Sequence, residues 1–332
     1  MKQVFLSTRV PRSVLERLVG DCLKSAPCDL DVRYDEPMSD HCTFRVGGPA
    51  DCLLRPSGTG FPAFVAVLLA RAGAAGVPVF VLGGGANIVA ADSGIPGIVL
   101  DTGGWAGGAE RWEGGMRFRA GTSLDDAAET AAREGLSGLE FLAGMPGTVG
   151  GAVWMNARCY GREIADVLHE TECLDPGRGT PPGESPDCFP QRFRLPADPS
   201  EFGYKHSPFQ NRRTLILSAS FRLSPGDPGA MQAEMEGYRR DRRDKGHFRF
   251  PSAGSVFKNN PAFGGPTGKI VDGLGLRGLR VGGALVAPWH GNIIINDGGA
   301  TASDIRVLTE EIALRVRAAT GFDLEPEILF VP

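Results

Sequence analysis

The apolar and polar positions along the chain follow two periods. Apolar residues that recur every three to four positions indicate an amphipathic helix, whereas alternation or a short apolar run indicates a strand. The first pattern predicts helices at 13–25, 61–76, 125–135, 230–245, 269–274 and 301–321. The second predicts a hairpin at 42–56, strands on both sides of a glycine turn at 77–92, and strands at 116–124, 215–223, 252–259, 290–297 and 324–332. This mixture indicates an α+β fold class.

The length of 332 residues suits two domains, each with enough apolar surface for a core. The pattern changes near 225–230, which separates a C-terminal domain at 230–332 from a first domain at 35–229. A helical lead-in precedes them at 1–34. The segment 176–199 is rich in Gly, Pro, Asp and Glu, so we expect it to be an exposed excursion.

Charge narrows the class of protein. Lys+Arg 35 against Asp+Glu 39 gives a formal net charge of −4, which argues against a nucleic-acid partner or a basic membrane-surface protein. No apolar run reaches the roughly 18 residues of a membrane span. Charge and proline interrupt the first residues before a signal-peptide core forms.

The numbers and spacing of the cysteines and histidines bear on the cellular compartment and on metal binding. The chain has 7 cysteines, an odd number, without a CxxC pair, which favours a reducing compartment over a disulfide framework. The 5 histidines show no spacing typical of metal ligands. We therefore expect a soluble cytoplasmic protein that has no metal, no nucleic-acid partner and no membrane partner.

The first glycine cluster, Gly83-Gly84-Gly85-Ala86-Asn87, follows an apolar strand. Glycines there allow main-chain N–H groups to converge on an anion, but a tight structural turn explains them equally well. The spacing of a dinucleotide fingerprint is absent because Ile88 and Val89 follow, and the Lys of a Walker loop is absent. A nucleotide bound here would need another geometry.

The second glycine cluster spans 135–161. Gly144, Gly147, Gly150 and Gly151 would allow the backbone to wrap closely around a flat or phosphorylated ligand. Thr148 and Asn156 would supply side-chain hydrogen bonds. Two such loops favour a large nucleotide cofactor held mainly by main chain over a purely structural role.

Several motifs resemble those of one protein family, and they follow one another along the chain in the same order as in that family. They are TFRVGGPA (43–50), VLGGGANIVAADSGIPGIVL (81–100), GLSGLEFLAGMPGTVGGAVWMNA (135–157), FGYKHSPF (202–209), PSAGSVFKN (251–259), LRGLRVGGALV (276–286), HGNIIIN (290–296) and LEPEI (324–328). The chain resembles UDP-N-acetylenolpyruvoylglucosamine reductases, also called UDP-N-acetylmuramate dehydrogenases, of the subclass without a tyrosine-bearing capping loop. The resemblance implies an FAD-binding domain of the vanillyl-alcohol-oxidase/PCMH type followed by a substrate-binding α+β domain.

The resemblance also implies an activity in peptidoglycan precursor synthesis. NADPH reduces FAD and leaves, and the enolpyruvyl ether of UDP-N-acetylglucosamine then takes a hydride at its methylene carbon and a proton at the neighbouring carbon. Its partner is thus a small-molecule sugar nucleotide, and we expect a monomer or weak dimer. The same reduction of another enolpyruvyl sugar or nucleotide is the main alternative. A flavin oxidase and a non-catalytic flavin- or nucleotide-binding protein are further alternatives.

Site residues follow from the resemblance. Ser255 is the implied proton donor, Glu327 the supporting carboxylate, and Lys205 occupies the position of the family's arginine, which holds the substrate carboxylate. The implied cofactor-binding residues are Gly83, Gly84, Gly85, Ala86, Asn87, Ile88, Gly144, Met145, Pro146, Gly147, Thr148, Gly150, Gly151, Val153 and Asn156. The implied substrate contacts are Tyr160, Tyr204, Lys245, Asn259 and His290, and Arg158 is a further candidate contact because it stands in a loop near the substrate or flavin.

Four positions depart from the family pattern: Lys205 replaces arginine, Arg158-Cys159 replaces Gly-Ala, Gly246-His247-Phe248 replaces Gln-Pro-Leu, and Asn260 is inserted. Lysine lacks the planar fork that binds a carboxylate through two hydrogen bonds. One hypothesis is that Arg158 supplies the missing guanidinium. A second is that Arg158 and the Gly246-His247-Phe248 segment reshape the pocket for a different enolpyruvyl substrate.

Overall fold

The computed structural model describes residues 8–175, 191–212 and 214–332. Its helices are α1 Arg12–Ser25, α2 Phe61–Ala74, α3 Leu124–Arg133, α4 Val149–Met155, α5 Pro228–Asp244, α6 Thr267–Gly273 and α7 Ala302–Thr320. Its strands are β1 Asp29–Pro37, β2 Pro49–Ser57, β3 Val79–Leu82, β4 Ile88–Ala90, β5 Ile95–Asp101, β6 Glu110–Trp112, β7 Gly115–Arg119, β8 Leu136–Ser137, β9 Arg158–Cys159, β10 Arg162–Glu163, β11 Leu168–Asp175, β12 Gln191–Pro196, β13 Leu215–Arg222, β14 Ser224–Pro225, β15 Arg280–Val281, β16 Ala284–Val286, β17 Ile294–Asn296 and β18 Leu329–Val331.

The chain forms two compact units, and each takes segments that are distant in sequence. Among the described residues, unit 1 comprises those within 1–36, 50–84 and 96–239, and unit 2 those within 37–49, 85–95 and 240–332. The predicted domain boundary after residue 229 falls at the start of α5, and the units divide within the same helix. The three predicted domain ranges stay a prediction.

Unit 1 contains two larger sheets and, among the described residues, the two-stranded pairs β9–β10 and β8–β14. The first has the strand order β1-β2-β5-β3, and β3 pairs with β5 in parallel. Helices α1 and α2 contribute Leu15, Phe64 and Leu68 to the core that includes this sheet, and all three side chains are fully buried. The near-continuous apolar run of α2 is explained by this burial, which removes its side chains from water.

The second sheet of unit 1 has the order β12-β11-β13-β7-β6, and all of its pairs are antiparallel. Helices α3 and α4 belong to the core of this half, which also contains Phe118 and Phe221. The Ser123 side chain caps α3 by accepting a hydrogen bond from the N–H of Asp126, as a serine before a helix is expected to do.

Unit 2 is built around α7, the antiparallel sheet β15-β16-β17 and the parallel pair β4–β18. Thr301 and Asp304 form a capping box at the start of α7. The Asp92 carboxylate accepts hydrogen bonds from the N–H groups of Ala302 and Ser303 at 2.7 and 2.9 Å. The loop after β4 therefore satisfies N–H groups that the first helical turn leaves without acceptors.

Two predicted elements are wrong, and a third is only partly as predicted. The hairpin at 42–56 does not form: only its second half is a strand, β2, and the strand that pairs with it on one side is β1. The described part of the predicted excursion, 191–199, is mostly exposed as predicted but contains β12, which pairs with β11, whereas 176–190 lie outside the described residues. The strand predicted at 252–259 is reduced to two isolated bridges, at Ser255 and Phe257. Glycines and polar residues weaken the strand pattern in each case.

Candidate functional site

Gly83 and Gly84, which begin the first glycine cluster, lie beside the second cluster in unit 1. A Cβ atom added to Gly84 would lie 2.6 Å from the Cα of Gly147, and one added to Gly83 would lie 2.7 Å from Oγ1 of Thr148. Both distances are far below ordinary van der Waals contact, and the first neighbour is backbone, which cannot swing aside. The glycines are therefore required because the two loops contact each other directly.

Several main-chain N–H groups of the same loops have no acceptor within the described part of the protein. Within the described part of the chain, the N–H groups of Gly83, Gly84, Gly147 and Thr148 donate no hydrogen bond. Neighbouring N–H groups, in contrast, are used inside the protein, as with Gly150, which donates to Ala120 O at 2.8 Å. Adjacent N–H groups without protein acceptors suit an anionic group such as a diphosphate.

The remaining part of the first cluster belongs to unit 2. Gly85 has a positive φ of 61°, and a Cβ there would lie 2.0 Å from the carbonyl oxygen of His41. The Asn87 amide donates to Glu327 O at 3.0 Å, and Asn87 O accepts a hydrogen bond from Leu329 N–H at 2.9 Å. Asn87 thus joins the start of β4, at Ile88, to the segment that carries Glu327.

Ser255 and Glu327 lie on neighbouring segments of unit 2. The N–H of Glu327 donates to the carbonyl of Val256, the residue after Ser255, at 2.7 Å. Ser255 itself bridges Ile293 in antiparallel fashion. Three motifs that are far apart in the sequence are therefore brought together here. The Glu327 residue is 9% exposed, while Ser255 is half-buried.

Asn292 is a residue whose contribution the sequence did not reveal. Its side-chain oxygen accepts from Phe257 N–H at 2.9 Å, its side-chain nitrogen donates to Phe257 O at 2.8 Å, and its carbonyl accepts from Val256 N–H at 2.9 Å. It is only 3% exposed. These three bonds fix the backbone directly after Ser255. An asparagine inside the predicted apolar strand HGNIIIN was the available signal.

His290, Asn259 and Lys245 also lie in unit 2. Burial lowers the pKa of His290, whose Nδ1 accepts a hydrogen bond from Asn292 N–H at 3.1 Å. The neutral ring therefore carries its proton on Nε2. The Asn259 side-chain oxygen accepts from Thr267 N–H at 2.9 Å, and Lys245 Nζ lies 2.7 Å from the Asp241 carboxylate.

A tight hairpin in unit 1 presents Tyr160. Strands β9 and β10 pair in antiparallel register, and the two loop residues, Tyr160 and Gly161, have φ values of 51° and 78°. Two successive positive φ angles are typical of a type I′ turn. The Tyr160 ring stacks on Tyr238 with centroids 4.1 Å apart, and its hydroxyl donates to Tyr238 O at 3.2 Å.

A second turn in unit 1 presents Tyr204 and Lys205. Gly203 and His206 exchange two main-chain hydrogen bonds, of 3.1 and 3.0 Å, and Tyr204 and Lys205 form the tip of the turn between them. Lys205 has a φ of 56°, which is uncommon for a residue with a side chain. The guanidinium carbon of Arg158 lies 5.6 Å from the centre of the Tyr204 ring. The structure therefore brings two of the residues that depart from the family pattern into one neighbourhood.

Two residues expected to bind the cofactor are enclosed by protein. Asn156 is fully buried, donates to Gly203 O at 2.8 Å and accepts from Ala165 N–H at 3.0 Å. Val153 is fully buried in the core of unit 1. Their direct contact with a cofactor stays a prediction, and their observed contacts are with the protein itself.

Across 8–175, 191–212 and 214–332, no helix combines the length and apolarity that a membrane span needs. Nor do those residues contain a group of three or more His, Cys, Asp or Glu side chains placed to hold a metal ion.

Comparison with known proteins adds a family. A model described as FAD binding domain matches residues 62–181, and one described as UDP-N-acetylenolpyruvoylglucosamine reductase, C-terminal domain, matches 246–331. The chain is similar to the UDP-N-acetylenolpyruvoylglucosamine reductase of Treponema pallidum (strain Nichols), with 40% identity over 331 aligned positions that cover 90% of this chain and 93% of the relative. The reductase of Rubrobacter xylanophilus (strain DSM 9941 / JCM 11954 / NBRC 16129 / PRD-1) is 39% identical, with 90% and 95% covered. The crystal structure of UDP-N-acetylenolpyruvylglucosamine reductase from Thermus caldophilus is 31% identical, with a TM-score of 0.68, and the match covers 92% of this chain and 100% of that chain.

Proposed function

The chain belongs to the UDP-N-acetylenolpyruvoylglucosamine reductase family, and we propose that it reduces the enolpyruvyl ether of UDP-N-acetylglucosamine to UDP-N-acetylmuramate with NADPH as reductant. The predicted family, the α+β fold class and the FAD-dependent oxidoreductase activity are confirmed by the matches. Identity of 31–40% over nine-tenths of the chain favours this substrate over another enolpyruvyl sugar. A cytoplasmic location and a monomeric or weakly dimeric state stay predictions.

The cofactor proposal rests on the paired glycine loops of unit 1. Their four N–H groups without protein acceptors fit the diphosphate of FAD, and the absence of side chains at Gly83 and Gly84 lets the two loops approach closely enough to present these donors together. When bound, FAD supplies the hydride that it has received from NADPH. The protein contributes the orientation of that cofactor and the charge around it.

In unit 2, Ser255 is the proposed proton donor to the carbon next to the methylene group. A serine hydroxyl is a weak acid, but hydride addition makes that carbon strongly basic, so that positioning matters more than acidity. The observation that carries this assignment is the hydrogen bond from Glu327 N–H to Val256 O, together with the Asn292 bonds to the same segment. Glu327 is the proposed supporting carboxylate, and Asn259, His290 and Lys245 the proposed substrate contacts of this unit.

In unit 1, Lys205 is the proposed cation for the substrate carboxylate, where charge builds during hydride transfer. Its ammonium group gives one compact charge rather than a bidentate fork. Arg158 is the proposed source of the missing guanidinium because it lies beside Tyr204, although it also pairs with Glu163 at 3.9 Å. Tyr160 and Tyr204 are the proposed aromatic contacts with the substrate.

Anaerobic stopped-flow absorbance tests the function. The flavin of the purified holoenzyme is first bleached with NADPH, and UDP-N-acetylglucosamine enolpyruvate is then added. Rapid recovery of the flavin absorbance is expected. Bleaching without recovery would reject this substrate and favour another enolpyruvyl compound, whereas failure to bleach would reject the NADPH-dependent reductase.

A further inference from the structure

Helix α4 connects two parts of unit 1 that the proposed function uses. Gly147 and Thr148 lead into its first turn, and the Trp154 carbonyl in its last turn accepts hydrogen bonds from the Ser207 and Gln210 side chains. Seven residues of α-helix span about 10 Å, and so short a helix is stiff. Whatever holds segment 203–210 on the end of α4 therefore also sets its position relative to the glycine loop.

Gln210 makes the central contact of this arrangement. Its Nε2 donates to Trp154 O, in the last turn of α4, at 3.2 Å and to Lys205 O at 3.1 Å. One amide nitrogen carries two hydrogens, so both bonds can exist together. The same side chain thus ties the helix end to the turn that carries Lys205.

Two other side chains support the same junction. The Ser207 hydroxyl donates to Trp154 O at 2.6 Å, and the side chain of Ser207 is completely buried. Asn156, at the end of α4, donates to Gly203 O at 2.8 Å, on the other side of the turn. The turn from Gly203 to His206 is therefore attached to α4 on both sides.

Lys205 needs such support because of its backbone conformation. A φ of 56° lies in the left-handed region, which a residue with a Cβ adopts at a cost and keeps only when its surroundings hold it there. The Gln210 bond goes to the carbonyl of this very residue. Loss of that bond would allow the turn to relax and the lysine side chain to move.

We propose that Gln210 is a positioning residue, which holds the Lys205 turn on the end of α4 and so fixes the Lys205 ammonium group for the substrate carboxylate. The second half of this inference rests on the proposed function, whereas the first half concerns the protein alone. Gln210 need not touch the substrate. Its effect on the reaction should pass entirely through Lys205.

Limited proteolysis tests the first half without any substrate. Trypsin cleaves after lysine, so the Lys205–His206 bond reports directly on opening of the turn. Gln210→Leu removes both donors and should speed this cleavage on the order of tenfold, the effect of losing two ordinary hydrogen bonds. Gln232→Leu is the matched control, because the exposed Gln232 amide on α5 donates, within the described part of the chain, to the Glu129 carboxylate at 2.7 Å and to no main-chain carbonyl. Cleavage after Lys205 that is equal in the two variants, measured by mass spectrometry, would overturn the proposal.

A double-mutant cycle on the holoenzyme tests the second half. Gln210→Leu alone should slow flavin reoxidation by the enolpyruvyl substrate on the order of tenfold, with flavin content unchanged. In a Lys205→Met background the same change should alter the rate less than twofold, because the group that it positions is gone. An equal loss in both backgrounds would refute action through Lys205.

The two failures are distinguishable. If the wild-type enzyme shows no reoxidation, the proposed function is rejected, and the tryptic assay still decides whether Gln210 holds the turn. If the wild-type enzyme turns over but Lys205→Met has no effect, the role of Lys205 is rejected, and with it the catalytic half of this inference.

Discussion

Gly84→Ala should weaken FAD binding through a steric clash between the two glycine loops. The added Cβ would lie 2.6 Å from the Cα of Gly147, whereas carbon atoms in contact prefer about 3.5–4.0 Å. The loops must therefore separate by about 1 Å, since neither backbone can rotate out of the way. Overpacking of this kind costs about 1–3 kcal/mol.

The consequence for the cofactor follows from the free N–H groups. Gly83 and Gly84 lie on one loop and Gly147 and Thr148 on the other, so that separation of the loops moves the donors apart. A loss of about 1–3 kcal/mol corresponds to a roughly 5- to 150-fold higher dissociation constant. Fluorescence titration of the apoprotein with FAD measures this constant directly.

Gly73→Ala is the matched control. It makes the same substitution in α2, where an added Cβ has no neighbour within 4 Å. It should leave FAD affinity unchanged and raise the free energy of unfolding by about 0.5–1 kcal/mol, because glycine is costly inside a helix. FAD affinity within twofold of wild type for Gly84→Ala would refute the reasoning.

Three further predictions concern the site and its pH dependence. Arg158→Ala should slow flavin reoxidation by the substrate about 10- to 100-fold, and adding Lys205→Arg to that variant should recover part of the loss, because a planar guanidinium binds a carboxylate bidentately. Unchanged turnover in Arg158→Ala, or no recovery in the double variant, would contradict compensation. Ser255→Ala should slow the same step by about 100- to 10,000-fold, as loss of a general acid does, while bleaching by NADPH proceeds normally in the same stopped-flow trace; equal loss in both steps would contradict the assignment. Burial, and next the charge of Arg242, lower the pKa of His247 from 6.5 to about 4, so its neutral form stabilises the fold, and that contribution is lost as pH falls from 6.5 towards 4. The free energy of unfolding, measured with urea across this window, should depend less on pH in His247→Gln than in the wild type. An identical pH dependence in the two proteins would contradict this prediction.

Some parts of the fold were readable from local sequence. The helix predicted at 61–76 is α2, which ends two residues earlier than predicted. Its long apolar run is readable from the sequence because such side chains must be buried against a core. The helix predicted at 301–321 is α7, whose ends are marked by the capping box of Thr301 and Asp304 and by Gly321, where φ is 76°. These signals act within a few residues, and the tertiary structure does not override them.

Other elements needed the folded chain. Helix α4 lies in a segment so rich in glycine that the sequence predicted only a loop, yet Val149 and Val153 are fully buried in the core of unit 1. Burial against neighbouring elements outweighs the low helix propensity of Gly150 and Gly151. Strand β12 likewise depends on the folded chain, because it forms by antiparallel hydrogen-bond pairing with β11.

The sequence by itself determined the family and the residues that carry its motifs, because those rest on residue type and order. It also indicated that the paired glycine loops need to be bare of side chains. Only the tertiary structure shows the reason, which is that a side chain on one loop would clash with the other loop. Likewise, Gln210 and Trp154 are 56 residues apart, and Asn292 and Phe257 are 35 apart. A hydrogen bond between positions so distant leaves no periodic trace in the chain, because it depends on where folding places the two backbones.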